Sequence, residues 1–99
     1  MLAKERILDR LLTIYGLSDF ERDVLIEASR IKRGRTITYA ELAERIGRIG
    51  SQRAVGNALN KNPLPLLIPC HRVVGSRNIG GYAFGTALKR FFLFVESVL

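Results

Sequence analysis

Apolar residues recur at helical spacing along most of the chain, in stretches that glycine, proline and polar residues separate. The first stretch covers residues 2–14, and Gly16 is expected to end its helix. Ser18 and Glu21 then have the spacing of a capping box, in which each side chain bonds the backbone N–H of the other residue. A second helix, with an apolar face that reaches Ile31, is therefore predicted to begin at Ser18.

Two shorter helices are predicted next. Thr38 and Glu41 form a second capping box, and Gly47 is expected to end the helix that it opens. Ser51 is expected to cap the following helix, over residues 51–61. The side of that helix predicted to be buried consists of Ala54, Val55, Ala58 and Leu59. Two short helices joined by a glycine-containing turn predict a helix-turn-helix, with 51–61 as the recognition helix.

The chain after residue 62 is predicted to be irregular until a last helix begins. Prolines at positions 63 and 65 cannot continue a helix, so 66–84 is expected to be an irregular or β segment. The β-branched residues 36–38 are expected to form a brief extended segment. Thr86 is expected to cap the last helix, whose apolar side consists of Leu88, Phe91, Phe92, Val95 and Leu99. The predicted fold class is mainly α, a single helix-turn-helix or winged-helix-like domain over residues 1–99.

Positive charge is concentrated in the second half of the chain. The net charge is +7, and residues 45–95 include eight basic side chains and no acidic one. A stretch of one sign indicates a polyanionic partner, and the predicted helix-turn-helix favours nucleic acid over an anionic membrane surface. The longest apolar runs are too short to span a bilayer, and charges occupy the place of a secretory signal. We expect no membrane association and a cytoplasmic location, or a nuclear one in a eukaryote.

Cys70 and His71 are the only cysteine and the only histidine of the chain. This excludes an internal disulfide and the usual four-ligand zinc site. A cysteine among apolar residues is commonly an inert core side chain. Cys70 lies in a proline-bounded irregular segment, however, and positive neighbours such as His71 and Arg72 lower a thiol pKa. In a flat strand Cys70 and His71 would face opposite sides, so their cooperation needs a turn at Pro69 or a bridging water.

Two other residues each allow two interpretations. Glu96 is the next acidic residue after Glu44, and it is either the partner that orients His71 or a solvated glutamate near the C-terminus. Gly56 costs about 1 kcal/mol relative to alanine in a helix interior. It either relieves a helix–helix contact or lets nucleic acid approach the backbone, and its polar neighbours favour the second interpretation.

The segment Pro69-Cys70-His71-Arg72-Val73 resembles the active-site signature of the O6-alkylguanine-DNA alkyltransferases. Further motifs follow the order and spacing of that family. They are TYAELA at 38–43, RAVGNA at 53–58, NP at 62–63, GGY at 80–82 with Gly85, and Lys89 followed by Glu96. The resemblance covers about 20–96, which is nearly the whole chain.

The resemblance implies a role for each of the matching reactive residues. Cys70 would be the acceptor nucleophile, attacking the alkyl carbon on guanine O6 in a single displacement. His71 would take the thiol proton through a water, while Glu96 stabilises the imidazolium. Tyr39 would donate a hydrogen bond to the leaving guanine and crowd the phosphate so that the nucleotide rotates out. Arg53 would fill the place of the flipped nucleotide in the base stack.

Other positions are implied as contacts or supports. Asn62 would support the active-site turn, and Lys89 would add positive potential beside it. The expected DNA contacts are Tyr39, Gln52, Arg53, Ala54, Gly56 and Asn57. The expected substrate pocket and its supports are Asn62, Pro65, Arg72, Val73, Tyr82 and Ala83. No cofactor and no metal are expected, and the thioether product implies that the protein is consumed in one turnover.

The implied function is repair of O6-alkylguanine in double-stranded DNA by a monomer that alkylates itself. One alternative is an alkyltransferase-like damage sensor, which shares the DNA-binding motifs but lacks the reactive cysteine. A plain helix-turn-helix transcription regulator leaves Cys70 and His71 unexplained. The chain departs from the family pattern in two places. The N-terminal domain of many members is expected to be absent, and Ala83 stands where some relatives have serine, which leaves only backbone groups to contact the base there.

Overall fold

The helices form close to where the pattern of apolar residues predicts them. The computed structural model describes residues 2–65, 67–82 and 84–96. Its elements in chain order are α1 (Ala3–Ile14), α2 (Asp19–Ala28), β1 (Ile37–Thr38), α3 (Tyr39–Arg45), α4 (Gln52–Leu59), a 3₁₀ turn (Cys70–Arg72), β2 (Val73–Val74) and α5 (Thr86–Val95). The mainly α, helix-turn-helix prediction is confirmed.

Both predicted capping boxes are present. The Ser18 hydroxyl accepts from the Glu21 backbone N–H at 3.2 Å, and the Glu21 carboxylate accepts from the Ser18 N–H at 2.8 Å. Thr38 and Glu41 repeat the arrangement at the start of α3, with the Thr38 hydroxyl accepting at 3.1 Å. These caps satisfy backbone donors that the first helical turn leaves free, which fixes where α2 and α3 begin.

The start of α4 differs from the prediction. Ser51 occupies the N-cap position but makes no capping bond, because its hydroxyl donates to the Arg48 carbonyl instead. The helix ends at Leu59, two residues before the predicted position near 61. Ala54, expected on the buried side, is exposed, while Val55, Ala58 and Leu59 are buried as predicted.

One apolar core lies between α1, α2, α3 and α4. Its fully buried members include Leu12, Val24, Leu25, Leu42 and Val55. Strands β1 and β2 pair in parallel, with Ile37 opposite Val73 and Thr38 opposite Val74. This pairing brings the segment after the 3₁₀ turn beside the start of α3, so the sheet positions Cys70 near the two helices of the helix-turn-helix.

The buried face of α5 differs from the predicted one, of whose described members Phe92 alone is partly buried. Lys89 and Leu93, one helical turn apart, are buried, whereas Phe91 is 58% exposed and Leu88 and Val95 are exposed as well. Leu99 lies outside the described residues. Thr86 is the first helical residue, and Gly85, with φ +99°, precedes it as the cap. The prediction failed because it was drawn from the apolar residues alone. A pattern of that kind places a lysine such as Lys89 on the exposed side.

None of the helices in the described part of the chain has the length and apolar character needed to cross a membrane.

Candidate active site

The Cys70 thiol is positioned by the turn that the prolines impose and by Asn62. The side chain of Asn62 is buried, and its amide nitrogen donates to the Ile68 carbonyl at 2.9 Å and to the Cys70 sulfur at 3.2 Å. Its amide oxygen accepts from the Leu64 N–H at 2.9 Å. Asn62 therefore ties the irregular segment together and holds one hydrogen-bond donor on the thiol.

Although only 4% of Cys70 is exposed, the residue lines a cavity of about 230 Å³. The other lining residues are Tyr39, Gln52, Arg53, Gly56, Asn57, Leu59, Asn60, Gly81 and Tyr82. Recognition-helix residues form one wall, and the chain around Gly81 and Tyr82 forms another. The nucleophilic sulfur of Cys70 therefore borders a cavity beside α4. A cysteine that only fills the core would not border such a cavity.

Tyr39 is held between α4 and the loop that precedes α5. Its hydroxyl donates to the Gly81 carbonyl at 3.3 Å, and the Lys89 ammonium approaches the same hydroxyl at 3.5 Å. A Cβ atom at Gly56 would lie 3.9 Å from the Tyr39 ring, an ordinary van der Waals distance. Gly56 therefore borders the cavity beside the ring without being required by that contact.

Lys89 is completely buried, with 0% of its surface exposed. Its ammonium donates to the carbonyl of Val73 at 2.6 Å and to that of Gly81 at 2.8 Å. Burial lowers the pKa of Lys89 to about 8, and the nearby Cys70 opposes that shift. Lys89 therefore joins β2, the Gly81 loop and Tyr39 around one positive charge close to the thiol.

Burial also raises the pKa of the Cys70 thiol. The Asn62 hydrogen bond, the Tyr82 hydroxyl and the positive charge of Lys89 oppose this shift. The Tyr82 hydroxyl is itself buried without a hydrogen-bond partner among the described residues, so it lies beside the sulfur outside hydrogen-bonding geometry. The expectation that His71 and Arg72 lower the thiol pKa was wrong, because burial raises the pKa on balance and the charge that opposes the rise is Lys89.

His71 and Glu96 lie together, as the resemblance implied. The His71 Nε2 atom is 3.1 Å from Glu96 Oε1, and both side chains are almost fully buried. Neither ring nitrogen has a hydrogen bond to a described residue, so the 3.1 Å approach lacks hydrogen-bond geometry. Burial lowers the pKa of His71, and Glu96 opposes that shift. A neutral imidazole, which is the form that accepts a proton, is therefore favoured near pH 7.

Cys70 and His71 face different sides of the 3₁₀ turn. Cys70 lines the cavity beside α4, whereas His71 lines a second cavity together with Pro69 and Glu96. Within the described ranges, no hydrogen bond joins the two side chains. The turn after Pro69 is present, but proton transfer between Cys70 and His71 would still need a bridging water.

Arg72 does not line the thiol cavity. Its guanidinium donates to both carboxylate oxygens of Glu96, at distances between 2.6 and 3.3 Å, and to the Ile31 carbonyl at 2.7 Å. This bonding lowers the pKa of Glu96. Glu96 is thus a structural partner of Arg72 and His71, and the alternative of a solvated glutamate is wrong.

Four of the expected DNA-contacting residues are exposed on α4, namely Gln52, Arg53, Ala54 and Asn57. Arg53 lines both the thiol cavity and a neighbouring cavity, which Thr38 and Ser76 also line. The recognition helix and the Cys70 thiol therefore border the same cavity.

Two of the expected pocket residues, Pro65 and Val73, do not line the thiol cavity. Pro65 lines the second cavity, beside His71, and not the thiol cavity. Val73 is buried, and its carbonyl is occupied by Lys89. Ala83 lies outside the described residues.

Three cavity residues were not predicted, namely Leu59, Asn60 and Gly81. The consecutive glycines at 80–81 could have indicated Gly81 as a cavity residue, because a backbone without side chains lets another group approach closely. Nothing in the sequence distinguished Leu59 from other core residues. Among the residues described, no group of three or more His, Cys, Asp or Glu side chains is arranged to hold a metal ion.

Fold and site together define a helix-turn-helix domain with a hydrogen-bonded thiol beside its second helix. The sequence model described as 6-O-methylguanine DNA methyltransferase, DNA binding domain, matches residues 19–98. The chain belongs to this family.

Individual relatives agree with the family match. A methylated-DNA–protein-cysteine methyltransferase of Methanocaldococcus vulcanius is 48% identical over 83 residues, which are 84% of this chain and 50% of the relative. The crystal structure of Mycobacterium tuberculosis OGT in complex with DNA is similar with a TM-score of 0.79 and 40% identity, covering 81% of this chain and 50% of that one. S. pombe ATL in complex with DNA has a TM-score of 0.71 and 27% identity, covering 84% and 80%. The chain spans about half the length of the curated relatives it matches.

Proposed function

We propose that this domain repairs DNA by moving an alkyl group from O6 of guanine to its own Cys70. The observation that carries the proposal is the placement of the chain's one thiol. It opens onto a cavity walled by the recognition helix, with Asn62 donating to the sulfur and Lys89 buried nearby. The names of the relatives, methylated-DNA–protein-cysteine methyltransferases, agree with this chemistry.

The reaction is a displacement at saturated carbon. The Cys70 sulfur loses its proton through a water to His71 and forms a bond to the alkyl carbon, while the carbon–O6 bond breaks. Guanine leaves with the electron pair of that bond, and the Tyr39 hydroxyl at the cavity wall donates a hydrogen bond to it as its negative charge grows. The base then takes up one proton through solvent, which balances the proton that His71 took from the thiol. Glu96 stabilises the imidazolium formed at His71. A thioether is a poor leaving group, so each molecule acts once.

The positive charge of Lys89 favours ionisation of the Cys70 thiol, which burial opposes. Burial disfavours the Cys70 thiolate, which is the nucleophilic form. Lys89, Asn62 and Tyr82 each offset part of that penalty. The pKa of the thiol is still raised on balance, so the resting thiol is protonated near pH 7 and gives up its proton in the transfer step.

DNA is the partner that the surface charge favours. Of the eight basic residues of 45–95, Lys89 is buried, and Arg72 and Lys61 are paired with carboxylates. The exposed ones that would neutralise phosphates are Arg45, Arg48, Arg53, Arg77 and Arg90. A base inside a duplex hides its O6 group, so the nucleotide must rotate into the cavity at a cost of a few kcal/mol. Arg53 is exposed and lines the cavity, and it would occupy the vacated stack. We propose a monomer on double-stranded DNA that contains O6-alkylguanine.

A second candidate function is a damage sensor that binds alkylguanine without reacting. The similarity to S. pombe ATL, which extends over 80% of that chain, favours this alternative. The presence of a cavity-lining Cys70 favours transfer.

Intact-mass measurement after mixing the protein with an oligonucleotide duplex containing O6-methylguanine separates the two functions. Transfer predicts one added methyl group per protein molecule, mapped to Cys70, and no further gain with excess DNA. Cys70→Ser should bind the same duplex and gain no mass. Binding without any mass gain in the unaltered protein would support the sensor.

A further inference from the structure

The Glu96 carboxylate is shared between two side chains of the 3₁₀ turn. Its Oε1 atom lies 3.0 Å from Arg72 Nε and 3.1 Å from His71 Nε2. Only the arginine contacts have hydrogen-bond geometry, and Arg72 Nη2 adds a second one to Oε2 at 2.6 Å. The carboxylate is thus oriented by the fork of Arg72, while His71 approaches it from the side.

Arg72 is fixed independently of Glu96. Its Nη1 donates to the Ile31 carbonyl at 2.7 Å, just after α2, and its side chain is 16% exposed. A planar guanidinium with bonds in two directions has little freedom to rotate. The position of the carboxylate at the end of α5 is therefore set by the 3₁₀ turn and by the segment after α2.

We propose that Arg72 is a positioning residue that acts through Glu96: it holds the carboxylate beside His71 and offsets part of its charge. His71 then stays neutral at rest, and the carboxylate remains beside it when it accepts the Cys70 proton. The catalytic part of this proposal, proton transfer from Cys70 to His71, rests on the proposed function. The charge arrangement itself exists in the protein without DNA.

The electrostatic surroundings of His71 agree with this role. A carboxylate at 3.1 Å from an imidazole ordinarily favours the imidazolium. Here the pKa of His71 is nevertheless lowered, chiefly by burial, with Arg72 and Lys89 acting in the same direction. The titratable and charged groups that face His71 are Cys70 and Arg72 on its own turn, Lys89 and Glu96 on α5, Tyr82 on the preceding loop, and Lys4 and Arg33 across the second cavity. Of these, Glu96 is the group that favours protonation of His71.

Removing Arg72 should release the full charge of Glu96 to His71. In Arg72→Gln the pKa of His71 is expected to rise by about one unit, the size of effect that one close opposite charge produces. His71 is the only histidine, so proton NMR titration of its ring reports this pKa directly in the whole chain without DNA. Arg10→Gln, which removes an exposed positive charge from α1, is the matched control and should leave the titration unchanged.

Arg72 also repels a protonated His71 directly, and a double variant separates the two effects. In a Glu96→Gln background, adding Arg72→Gln should raise the His71 pKa much less than it does in the unaltered protein. An equal rise in both backgrounds would show that Arg72 acts by repulsion alone, and the proposal would be overturned. So would a His71 pKa in Arg72→Gln that matches the Arg10→Gln control.

Arg72→Lys keeps the test informative should Arg72→Gln fail to fold. A lysine retains the charge but cannot span both carboxylate oxygens. We expect an intermediate rise in the His71 pKa, and a value equal to that of the unaltered protein would overturn the role of the two-pronged contact. The lower pKa of the pH–rate profile for alkyl transfer should rise in parallel. If the unaltered protein shows no transfer at any pH, the proposed function fails while the titration result stands.

Discussion

The backbone at Gly80 lies directly against the hydroxyl of Tyr39. A Cβ atom at Gly80 would be 2.5 Å from the Tyr39 oxygen and 2.7 Å from ring carbon Cε2. Gly80 also has φ +72°, a conformation that side chains rarely adopt. The tandem glycines therefore let the loop pack against the ring of Tyr39, whose hydroxyl we propose as the hydrogen-bond donor to the leaving guanine.

Gly80→Ala should consequently displace Tyr39 and slow alkyl transfer to Cys70. Single-turnover mass measurement with methylated duplex checks the rate, and chemical unfolding checks a stability loss of about 1–3 kcal/mol. Gly50→Ala is a matched control, because Gly50 has φ +88° but no atom within 4 Å of the added Cβ. Comparable rates in the two folded variants would show that backbone strain alone, and not the Tyr39 contact, is disturbed.

Lys89→Met should make the thiol harder to ionise. The ammonium, whose pKa is about 8, is charged at neutral pH and lowers the pKa of Cys70. Its loss should raise the thiol pKa and slow alkylation by iodoacetamide at pH 7, about tenfold for each unit of the rise. The rate of alkylation at pH 7, where the Lys89 ammonium is charged, checks this expectation. Arg90→Met, which removes the exposed neighbouring cation of α5, should leave the thiol pKa in place. An unchanged thiol pKa in Lys89→Met would remove Lys89 from this role.

An ion pair that the sequence did not predict joins α1 to the segment that follows α2. Arg30 donates to both Glu5 oxygens, at 2.7 and 2.9 Å, and this lowers the pKa of Glu5 to about 2. Because the folded pKa is below the unfolded value, Glu5 stabilises the fold fully above about pH 4.5. This contribution is lost as the pH falls towards about 2.

Arg30→Gln should therefore reduce the dependence of stability on pH between about 4.5 and 2. Urea unfolding over this range gives the slope, and Glu44→Gln, at an exposed glutamate, is the control. An equally steep loss of stability with acid in Arg30→Gln would mean that other carboxylates cause it. The pair matters for the architecture because α1 lies before the residues that match the family, 19–98.

Local signals predicted the fold well, and contacts between distant segments escaped prediction. The capping pairs at Ser18 and Thr38 depend on residues three apart, so the sequence alone locates both helix starts. The buried face of α5 depends on Lys89, whose partners are the carbonyls of Val73 and Gly81. A side chain that finds its acceptors in another segment cannot be told from an exposed lysine by periodicity.

The candidate site shows the same division. The motif around Cys70 and its resemblance to a family placed His71 and Glu96 together, and the structure confirms that contact. The two-pronged bond of Arg72 to Glu96, and the separation of Cys70 and His71 onto two cavities, follow from the 3₁₀ turn. No spacing rule distinguishes such a turn from a short strand.

Arg53 and Tyr39 offer a way to separate nucleotide rotation from the chemical step. Arg53 is exposed on α4, and Tyr39 is half-buried beside it at the cavity. If Arg53 fills the vacated base stack, Arg53→Ala should slow transfer from duplex DNA by about a hundredfold, the equivalent of about 3 kcal/mol. The free base O6-methylguanine needs no rotation, so its reaction with Arg53→Ala should be nearly normal.

Tyr39→Ala should behave differently with the same two substrates. Duplex repair should slow severely, and transfer from the free base should keep a residual defect, because the hydrogen bond to the leaving guanine is missing in both reactions. The assay is single-turnover methylation of Cys70, with variants first shown to be folded. Arg45→Ala, which removes another exposed cation of the helix-turn-helix, is the control for a general loss of phosphate attraction. Equal defects of Arg53→Ala on duplex and free base would leave Arg53 as a phosphate contact or a helix-packing residue, because a stacking role predicts a defect only where a nucleotide must leave the helix.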